Sequence, residues 1–172
     1  LTDFTYNYHI FMKKMTSPWK GKENEGYNCF GCAPNNPCGL HMEFYEDGDE
    51  VVSFWEPQSH FQSWVNVVHG GVQCTLMDEA AGWLVIHHMD TCGVTSKMEV
   101  KFMKPLPALE GPVEVRARLV KTLRNIAVVE VWILTPQKEK AAMATMHYFM
   151  YPQNIAVEKF SYTTKDKCNC EH

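Results

Sequence analysis

The fold is decided by residues 66–82, which read Asn-Val-Val-His-Gly-Gly-Val-Gln-Cys-Thr-Leu-Met-Asp-Glu-Ala-Ala-Gly. A glycine pair here opens a segment that stays apolar on nearly every side through Ile86. A helix that is apolar all round lies in a protein core. We therefore expect a buried helix that begins at His69 or Gly70 and ends near His88.

The glycine pair and Asp78 suit chemistry at a carbonyl group. The first amides of a helix have no partner inside it and lie at the positive end of its dipole, so Gly70 and Gly71 can donate to a developing oxyanion. Asp78 follows Gly71 by about two turns and projects from nearly the same side. A glycine pair is also common in plain loops, and an Asp-Glu pair is more often a solvated face. A carboxylate in so apolar a helix favours a functional interpretation, with Glu79 as the competing carboxylate.

Composition limits the possible classes of function. The chain has 172 residues, 45% of them hydrophobic, and 16 basic against 20 acidic side chains give a net charge of -4. This balance argues against nucleic acid as a partner, and no apolar run is long enough for a membrane span. Seven cysteines are an odd count, which fits reduced thiols better than a disulfide framework. We expect one cytoplasmic domain.

Alternation of apolar and polar residues predicts about six antiparallel strands around the helix. One strand, 126–134, is apolar on both faces, which predicts a subunit interface and at least a dimer. The sequence thus indicates an α+β domain over residues 29–152, with an N-terminal extension at 1–28 that includes a short helix before Pro18, and a surface extension at 153–172. The predicted strands are 40–45, 51–55, 93–102, 113–123, 126–134 and 141–151.

Several motifs in this order resemble the hotdog-fold thioesterases, most closely the phenylacetate-pathway acyl-CoA thioesterases. The likeness spans roughly residues 29–152. Its motifs are Cys29-Phe30-Gly31-Cys32, Asn36-Pro37-Cys38-Gly39-Leu40-His41, Gln62 with Trp64, Val67-Val68-His69-Gly70-Gly71, Leu76-Met77-Asp78-Glu79-Ala80, Gly93-Val94-Thr95, Lys104-Pro105 and Ala127-Val128-Val129-Glu130-Val131.

The resemblance implies a long helix wrapped by an antiparallel sheet of five to six strands, a homodimer or dimer of dimers, and active sites between subunits. It also implies hydrolysis of an acyl-CoA or other acyl thioester without a cofactor. By position, Asp78 is the general base or nucleophile and the Gly71 N–H is the oxyanion donor. His69 orients the helix start, Gln62 positions water, and Thr95 assists the carboxylate. Asn66 stands where relatives often carry glycine, so either Gln62 or Asn66 supplies the polar contact.

Substrate binding adds further candidates. Coenzyme A carries phosphates, which require cations near the channel mouth, although each such side chain is more often an ordinary solvated charge. Gly82 follows Asp78 by one turn and leaves space either for an acyl group or for close helix packing. The candidate phosphate ligands are Lys97, Lys101, Lys104 and Arg124, and Gly70 is expected to contact the substrate.

The cysteines offer a metal alternative. Cys29, Cys32, Cys38 and His41 form a C-x2-C-x5-C-x2-H pattern, and such ligands bind zinc. A second cluster lies at Cys168, Cys170 and His172. Against zinc, relatives keep the first two cysteines without requiring a metal, and His41 falls in the first predicted strand.

Two other functions compete with hydrolysis. A non-catalytic acyl-CoA sensor or carrier would keep the pocket without needing Asp78. An enoyl-thioester hydratase of the same fold relies on a catalytic histidine with its carboxylate, and His69 followed by two glycines is not that pattern.

Overall fold

The computed structural model describes residues 12–22 and 26–165. Within them the strands are β1 Lys13–Lys14, β2 Tyr45–Asp47, β3 Glu50–Trp55, β4 Gln62–Trp64, β5 Val67–Val68, β6 Gly93–Phe102, β7 Val113–Leu123, β8 Ile126–Leu134 and β9 Lys140–Met150. The long helix α1 (Gly70–Met89) packs against an antiparallel sheet of seven strands in the order β1-β2-β3-β7-β8-β9-β6. This is the hotdog arrangement, and the predicted α+β class is confirmed. A separate two-stranded sheet, β4-β5, precedes α1.

The predicted helix is confirmed, and its ends have clear physical causes. His69 caps the start, because its Nδ1 accepts the Gly71 N–H at 2.9 Å. Asp90 ends the helix in the left-handed conformation at φ 47°. The buried residues of α1 cover a little more than half of its circumference: Gln73, Leu76, Met77, Ala80, Ala81, Trp83, Leu84 and Val85.

Strand β8 is buried on the helix side and partly covered on the outer side. Its outward Trp132 is only half-buried and lies between two cations of the same chain. The Arg118 guanidinium is 5.8 Å and the Lys140 ammonium 5.3 Å from the ring centre. Cation–π contacts of this kind shield an apolar face, so the outer face has cover of its own, and the interface predicted there stays a prediction.

The first predicted strand is wrong over most of its length. Residues 40–44 bond to the preceding loop instead: the Leu40 N–H donates to the Phe30 carbonyl at 2.8 Å and the Met42 N–H to the Gly31 carbonyl at 2.9 Å. His41 between them has φ 53°, which is incompatible with a regular strand. Strand β2 therefore begins only at Tyr45.

The prediction of a short N-terminal helix is also wrong in the part that the structure describes. Lys13 and Lys14 form strand β1 and pair with Glu46 and Tyr45. The remaining apolar positions of that predicted helix, Phe4, Ile10 and Phe11, lie outside the described residues.

Residues 153–165, the described part of the predicted C-terminal surface extension, pack against the domain. A second helix, α2 (Gln153–Phe160), follows β9, and Ala156 and Tyr162 are buried with Cys92 in a small apolar cluster. The Asp90 carboxylate accepts bonds from the Gln153 amide at 2.9 Å, the Tyr162 hydroxyl at 3.0 Å and the Lys165 N–H at 3.0 Å. None of the helices in the described ranges is long and apolar enough to cross a membrane.

Candidate active site

The Asp78 carboxylate lies in the middle of α1 and is held by two hydroxyl groups. The Tyr148 hydroxyl donates to Asp78 Oδ1 at 2.9 Å and also approaches the Asp78 carbonyl oxygen at 2.7 Å. The Thr95 hydroxyl donates to the same Oδ1. No donor among residues 12–22 and 26–165 reaches Oδ2. One oxygen is therefore fixed and the other is free to accept a proton or a bond.

Strands β6 and β9 bring these two hydroxyls together. Thr95 and Tyr148 are direct partners across the two strands, and the register shifts between Thr95 and Lys97. Ser96 is the extra residue of this bulge, and its hydroxyl donates to the His147 carbonyl at 2.9 Å. Bulges re-aim neighbouring side chains, and this one turns the Thr95 hydroxyl toward the helix.

Tyr148 was not predicted from the sequence. Burial raises the pKa of its hydroxyl, with a further contribution from the Asp78 charge, so the group stays protonated and can donate. Alternate β9 residues Ala142, Ala144 and Met146 face the core, and Tyr148 continues that face. A tyrosine hydroxyl on a core face needs a partner, which is the signal that could have identified it.

At the start of α1, the backbone N–H that is free to bind a substrate oxygen is not the one that was expected. The Gly71 N–H donates to His69 Nδ1, so in this conformation it is occupied. The Gly70 N–H has no acceptor in the described part of the chain. Gly70 lies beside the Phe102 ring, whose Cζ would be 3.6 Å from a Cβ at that position. His69 thus caps the helix, and the orienting role that the resemblance implies for it stays a prediction.

Gln62 and Asn66 form the loop that leads into α1. The Gln62 Oε1 accepts the Asn66 N–H at 2.5 Å, and its Nε2 donates to the Ser59 carbonyl at 2.7 Å. Asn66 has φ 57°, a conformation that glycine and asparagine adopt most readily. This explains why asparagine is accommodated at this position.

The Asn66 side chain is fully engaged within that loop. Its Oδ1 accepts the N–H groups of Ala108 at 3.0 Å and Leu109 at 2.9 Å, and its Nδ2 donates to Glu110 at 2.9 Å. Asn66 therefore anchors residues 108–110 to the helix-start loop.

Gly82 makes room for Tyr148. A Cβ at Gly82 would lie 3.3 Å from the Tyr148 hydroxyl, so the glycine allows Tyr148 to pack closely against α1. Both residues also line a cavity of about 180 Å³. The other residues around it are Trp19, Tyr27, Cys29, Glu79, Trp83, Ile86, Cys92 and Gly93.

The four candidate phosphate ligands do not converge within one chain. Lys97 and Lys101 lie on the outer face of β6, since their partners in β9 are His147 and Met143 rather than the core residues. Arg124 lies exposed in the β7–β8 turn. Lys104 pairs with Glu139 at 2.9 Å and lines a groove of about 350 Å³ that also contacts the helix-start loop.

Glu79, the competing carboxylate, contacts the cysteine loop rather than the Asp78 site. Its carboxylate lies 3.5 Å from Cys29 Sγ and accepts the Trp83 indole N–H at 3.3 Å. Burial, and then the charge of Cys29, raise the pKa of Glu79 from 4.5 to about 7. A bond from the Cys32 thiol lowers the pKa of Cys29, while that bond and burial raise the pKa of Cys32.

The predicted four-ligand zinc set does not assemble. Ligand atoms of Cys29 and Cys32 group with Glu79 instead. Cys38 is exposed, and His41 Nε2 lies 2.6 Å from the Asn36 carbonyl oxygen. The second predicted cluster, Cys168 with Cys170 and His172, lies outside the described residues.

Comparison with known families agrees with this geometry. Residues 65–142 match the model of the thioesterase superfamily. This part of the chain is therefore similar to the thioesterase superfamily. The matched segment contains Gly70, Asp78 and Thr95, whereas Tyr148 lies just beyond it. No curated protein matches the chain by sequence.

Solved structures share the fold at low sequence identity. A thioesterase superfamily protein is 18% identical, with a TM-score of 0.66 over 70% of this chain and 62% of its own. A thioesterase from Haemophilus influenzae is 17% identical, with a TM-score of 0.64 over 83% of this chain and 95% of its own. A protein from Streptococcus mutans UA159, bound to acetyl CoA, is 23% identical, with a TM-score of 0.59 over 65% and 90%.

Proposed function

We propose that the protein hydrolyses an acyl-CoA thioester, with Asp78 as the general base or nucleophile. The observation that carries the proposal is the Asp78 carboxylate itself, whose Oδ1 accepts two hydroxyls while Oδ2 has no donor in the described residues. Oriented in this way, Oδ2 is suited to take a proton from water or to attack the carbonyl carbon. The match of residues 65–142 to the thioesterase superfamily model supports the reaction class.

The oxyanion donor is proposed to be an amide of the helix start. A thioester carbonyl gathers negative charge when it is attacked, and a preorganised N–H at a helix N-terminus stabilises that charge. The sequence favoured Gly71, but its amide is engaged by His69. We therefore assign the role to the Gly70 N–H.

A complete site requires two copies of the chain. Gly70 and Asp78 are eight residues apart, so they are separated by about 12 Å along the helix axis. Direct attack needs both groups within about 3–3.5 Å of the reacting carbonyl, which one helix does not provide. Gly70 of one subunit and Asp78 of a second copy would meet this requirement.

The edge of the sheet supports such a dimer. Strand β6 lies at one end of the strand order and pairs only with β9 among the described strands. It is ten residues long and exposes Val94 and Phe102. A long edge strand with exposed apolar groups is prone to pair with another chain. Joining two sheets there would bring Thr95 and Asp78 close to the interface.

The substrate is proposed to be a coenzyme A ester. The structural relative from Streptococcus mutans was solved with acetyl CoA, which supports the same ligand class here. Among the four candidate cations, Lys104 is the one in the groove beside the helix-start loop, and it is our candidate for contact with the phosphates. In Lys104→Ala we expect a higher KM for acyl-CoA with little change in kcat.

The test is release of free thiol from a panel of acyl-CoA esters by the wild type, Asp78→Asn and Glu79→Gln. We expect Asp78→Asn to lose about 10²–10⁴-fold in rate and Glu79→Gln to stay within a few-fold of the wild type. Asparagine can still accept the two hydroxyls, so the fold should persist. Turnover by Asp78→Asn at the wild-type rate contradicts the assignment. Binding of acyl-CoA by the wild type without thiol release favours the sensor function.

A further inference from the structure

The Cys29-Phe30-Gly31-Cys32 loop lies against the central helix at Glu79. One ligand atom from each of Cys29, Cys32 and Glu79 falls within 4.8 Å of the others. Cys29 Sγ is 3.5 Å from both carboxylate oxygens of Glu79. We propose that these three side chains bind a zinc ion. This site is distinct from the thioester site, and the proposal does not depend on the hydrolytic function.

The spacing of the ligand atoms fits tetrahedral zinc. Zinc–sulfur bonds are about 2.3 Å and zinc–carboxylate bonds about 2.0–2.2 Å, so a tetrahedral angle puts sulfur and oxygen about 3.5–3.7 Å apart. The observed separation of 3.5 Å lies in that range. Two cysteines separated by two residues are also the usual zinc-binding pair. Zinc can therefore enter without a large movement of the loop.

Neighbouring groups orient these ligands. The Gly31 N–H donates to Cys29 Sγ at 3.3 Å, and the Trp83 indole donates to Glu79 Oε1 at 3.3 Å. Such outer contacts fix ligand orientation in metal sites. A Cβ at Gly31 would lie 2.3 Å from Glu79 Oε2, so glycine is what allows the loop to lie directly on the carboxylate.

Charge favours a cation at this place. Two thiols and a carboxylate form a half-buried acidic cluster, and an unpaired charge there is costly. Zinc would compensate the thiolates and the carboxylate together, and its binding would displace the thiol protons. It would also tie the loop to α1 one residue away from Asp78.

The fourth ligand is assigned to a water molecule. Cys29 and Glu79 line the cavity of about 180 Å³, which is large enough to hold water. Cys38 does not belong to the three-residue group. This ligand set is therefore different from the one that the cysteine spacing alone predicts.

Metal content of the full chain tests the proposal. The protein is produced without a histidine tag in medium with added zinc. Its metal content is measured by mass spectrometry, and its spectrum is recorded after zinc has been exchanged for cobalt. We expect about one zinc per chain and a thiolate-to-cobalt charge-transfer band. Cys29→Ser should lose both, and Glu79→Gln should bind zinc at least about tenfold more weakly in competition with a chelator. Cys38→Ser is the matched control and should keep the metal.

A further variant tests whether the C-terminal cysteines contribute to zinc binding. Cys168→Ser/Cys170→Ser should retain the zinc. Wild-type protein with reduced thiols, no zinc and no cobalt band would overturn the proposal, as would a Cys29–Cys32 disulfide in its place. Loss of zinc in Cys38→Ser, or unchanged affinity in Glu79→Gln, would overturn the assignment of Glu79. Cobalt titration of the wild type needs no variant, so the site is testable even where Cys29→Ser does not fold.

Discussion

Replacing Gly70 by proline removes one N–H group from the helix start and little else. Gly70 is the first residue of α1, the position where proline is best tolerated because its N–H has no helical partner. Proline also requires an extended residue before it, and His69 already has φ -57° and ψ 135°. We therefore expect a change in unfolding free energy below about 1 kcal/mol.

The effect on turnover should be much larger. Loss of one oxyanion donor costs about 10²–10³-fold in kcat, or about 2.7–4 kcal/mol. Since the Gly71 N–H is bound to His69 Nδ1, it should not compensate without a rearrangement. The expected result is a fall in kcat of about two to three orders of magnitude with a KM close to that of the wild type.

The assay is thiol release from the best acyl-CoA of the panel, with urea unfolding of each variant in parallel. Gly70→Ala is the matched control: it keeps the N–H, and its Cβ would make only an ordinary contact at 3.6 Å with Phe102. We expect it to stay within a few-fold of the wild type. If Gly70→Pro is folded and turns over at the rate of Gly70→Ala, the assignment of this amide is refuted.

Three further predictions concern stability, pH and assembly. Gly93→Ala would place a Cβ 2.6 Å from the Phe149 carbonyl oxygen, and urea unfolding should show a loss of about 1–3 kcal/mol. In metal-free wild-type protein, burial and the charge of Cys29 raise the pKa of Glu79 from 4.5 to about 7, so stability should fall as the pH rises from about 4.5 to about 7; Glu79→Gln should flatten that dependence in urea unfolding. Phe102→Asp, at a side chain 51% exposed on β6, should convert the dimer to monomer by light scattering and reduce turnover.

Each of these three predictions has an outcome that would contradict it. Equal unfolding free energies for Gly93→Ala and the wild type would mean that the strand yields without strain. Parallel pH profiles with and without Glu79 would show that its carboxyl titrates alike in the folded and unfolded states. Val120→Asp, 54% exposed on β7 away from the edge strand, is the control for assembly and should leave the mass unchanged. A Phe102→Asp dimer with full activity contradicts the interface at β6.

Local patterns predicted the parts of the fold that depend on near neighbours. Helix α1 and the strands β7 and β8 agree closely with their predicted limits, because periodicity and turn residues such as Asn125 act within a few positions. Residues 40–44 have an apolar strand-like pattern too, but their backbone bonds to the loop at Phe30 and Gly31. An apolar pattern along the chain does not show which of two segments will accept the backbone hydrogen bonds.

The site was predictable only in part for the same reason. Asp78 could be singled out from its apolar helix, and the contact with Thr95 was expected from the family resemblance. Tyr148 is 70 positions away from Asp78, and Glu79 is 50 positions away from Cys29. Spacing along the chain carries no information about contacts that packing makes at such separations. The capping role of His69 depends on its side-chain orientation, which no motif specifies.

The hydrogen bonds to Asp90 determine where the folding unit ends. This residue closes α1, and its carboxylate accepts from Gln153, Tyr162 and Lys165. A chain cut after residue 152 would leave a helix terminus without these donors and would uncover the apolar cluster around Cys92. The shortest independently stable fragment should therefore extend through Lys165, well past residue 142, where the match to the thioesterase superfamily model ends. Limited proteolysis should accordingly spare the bond after Pro152.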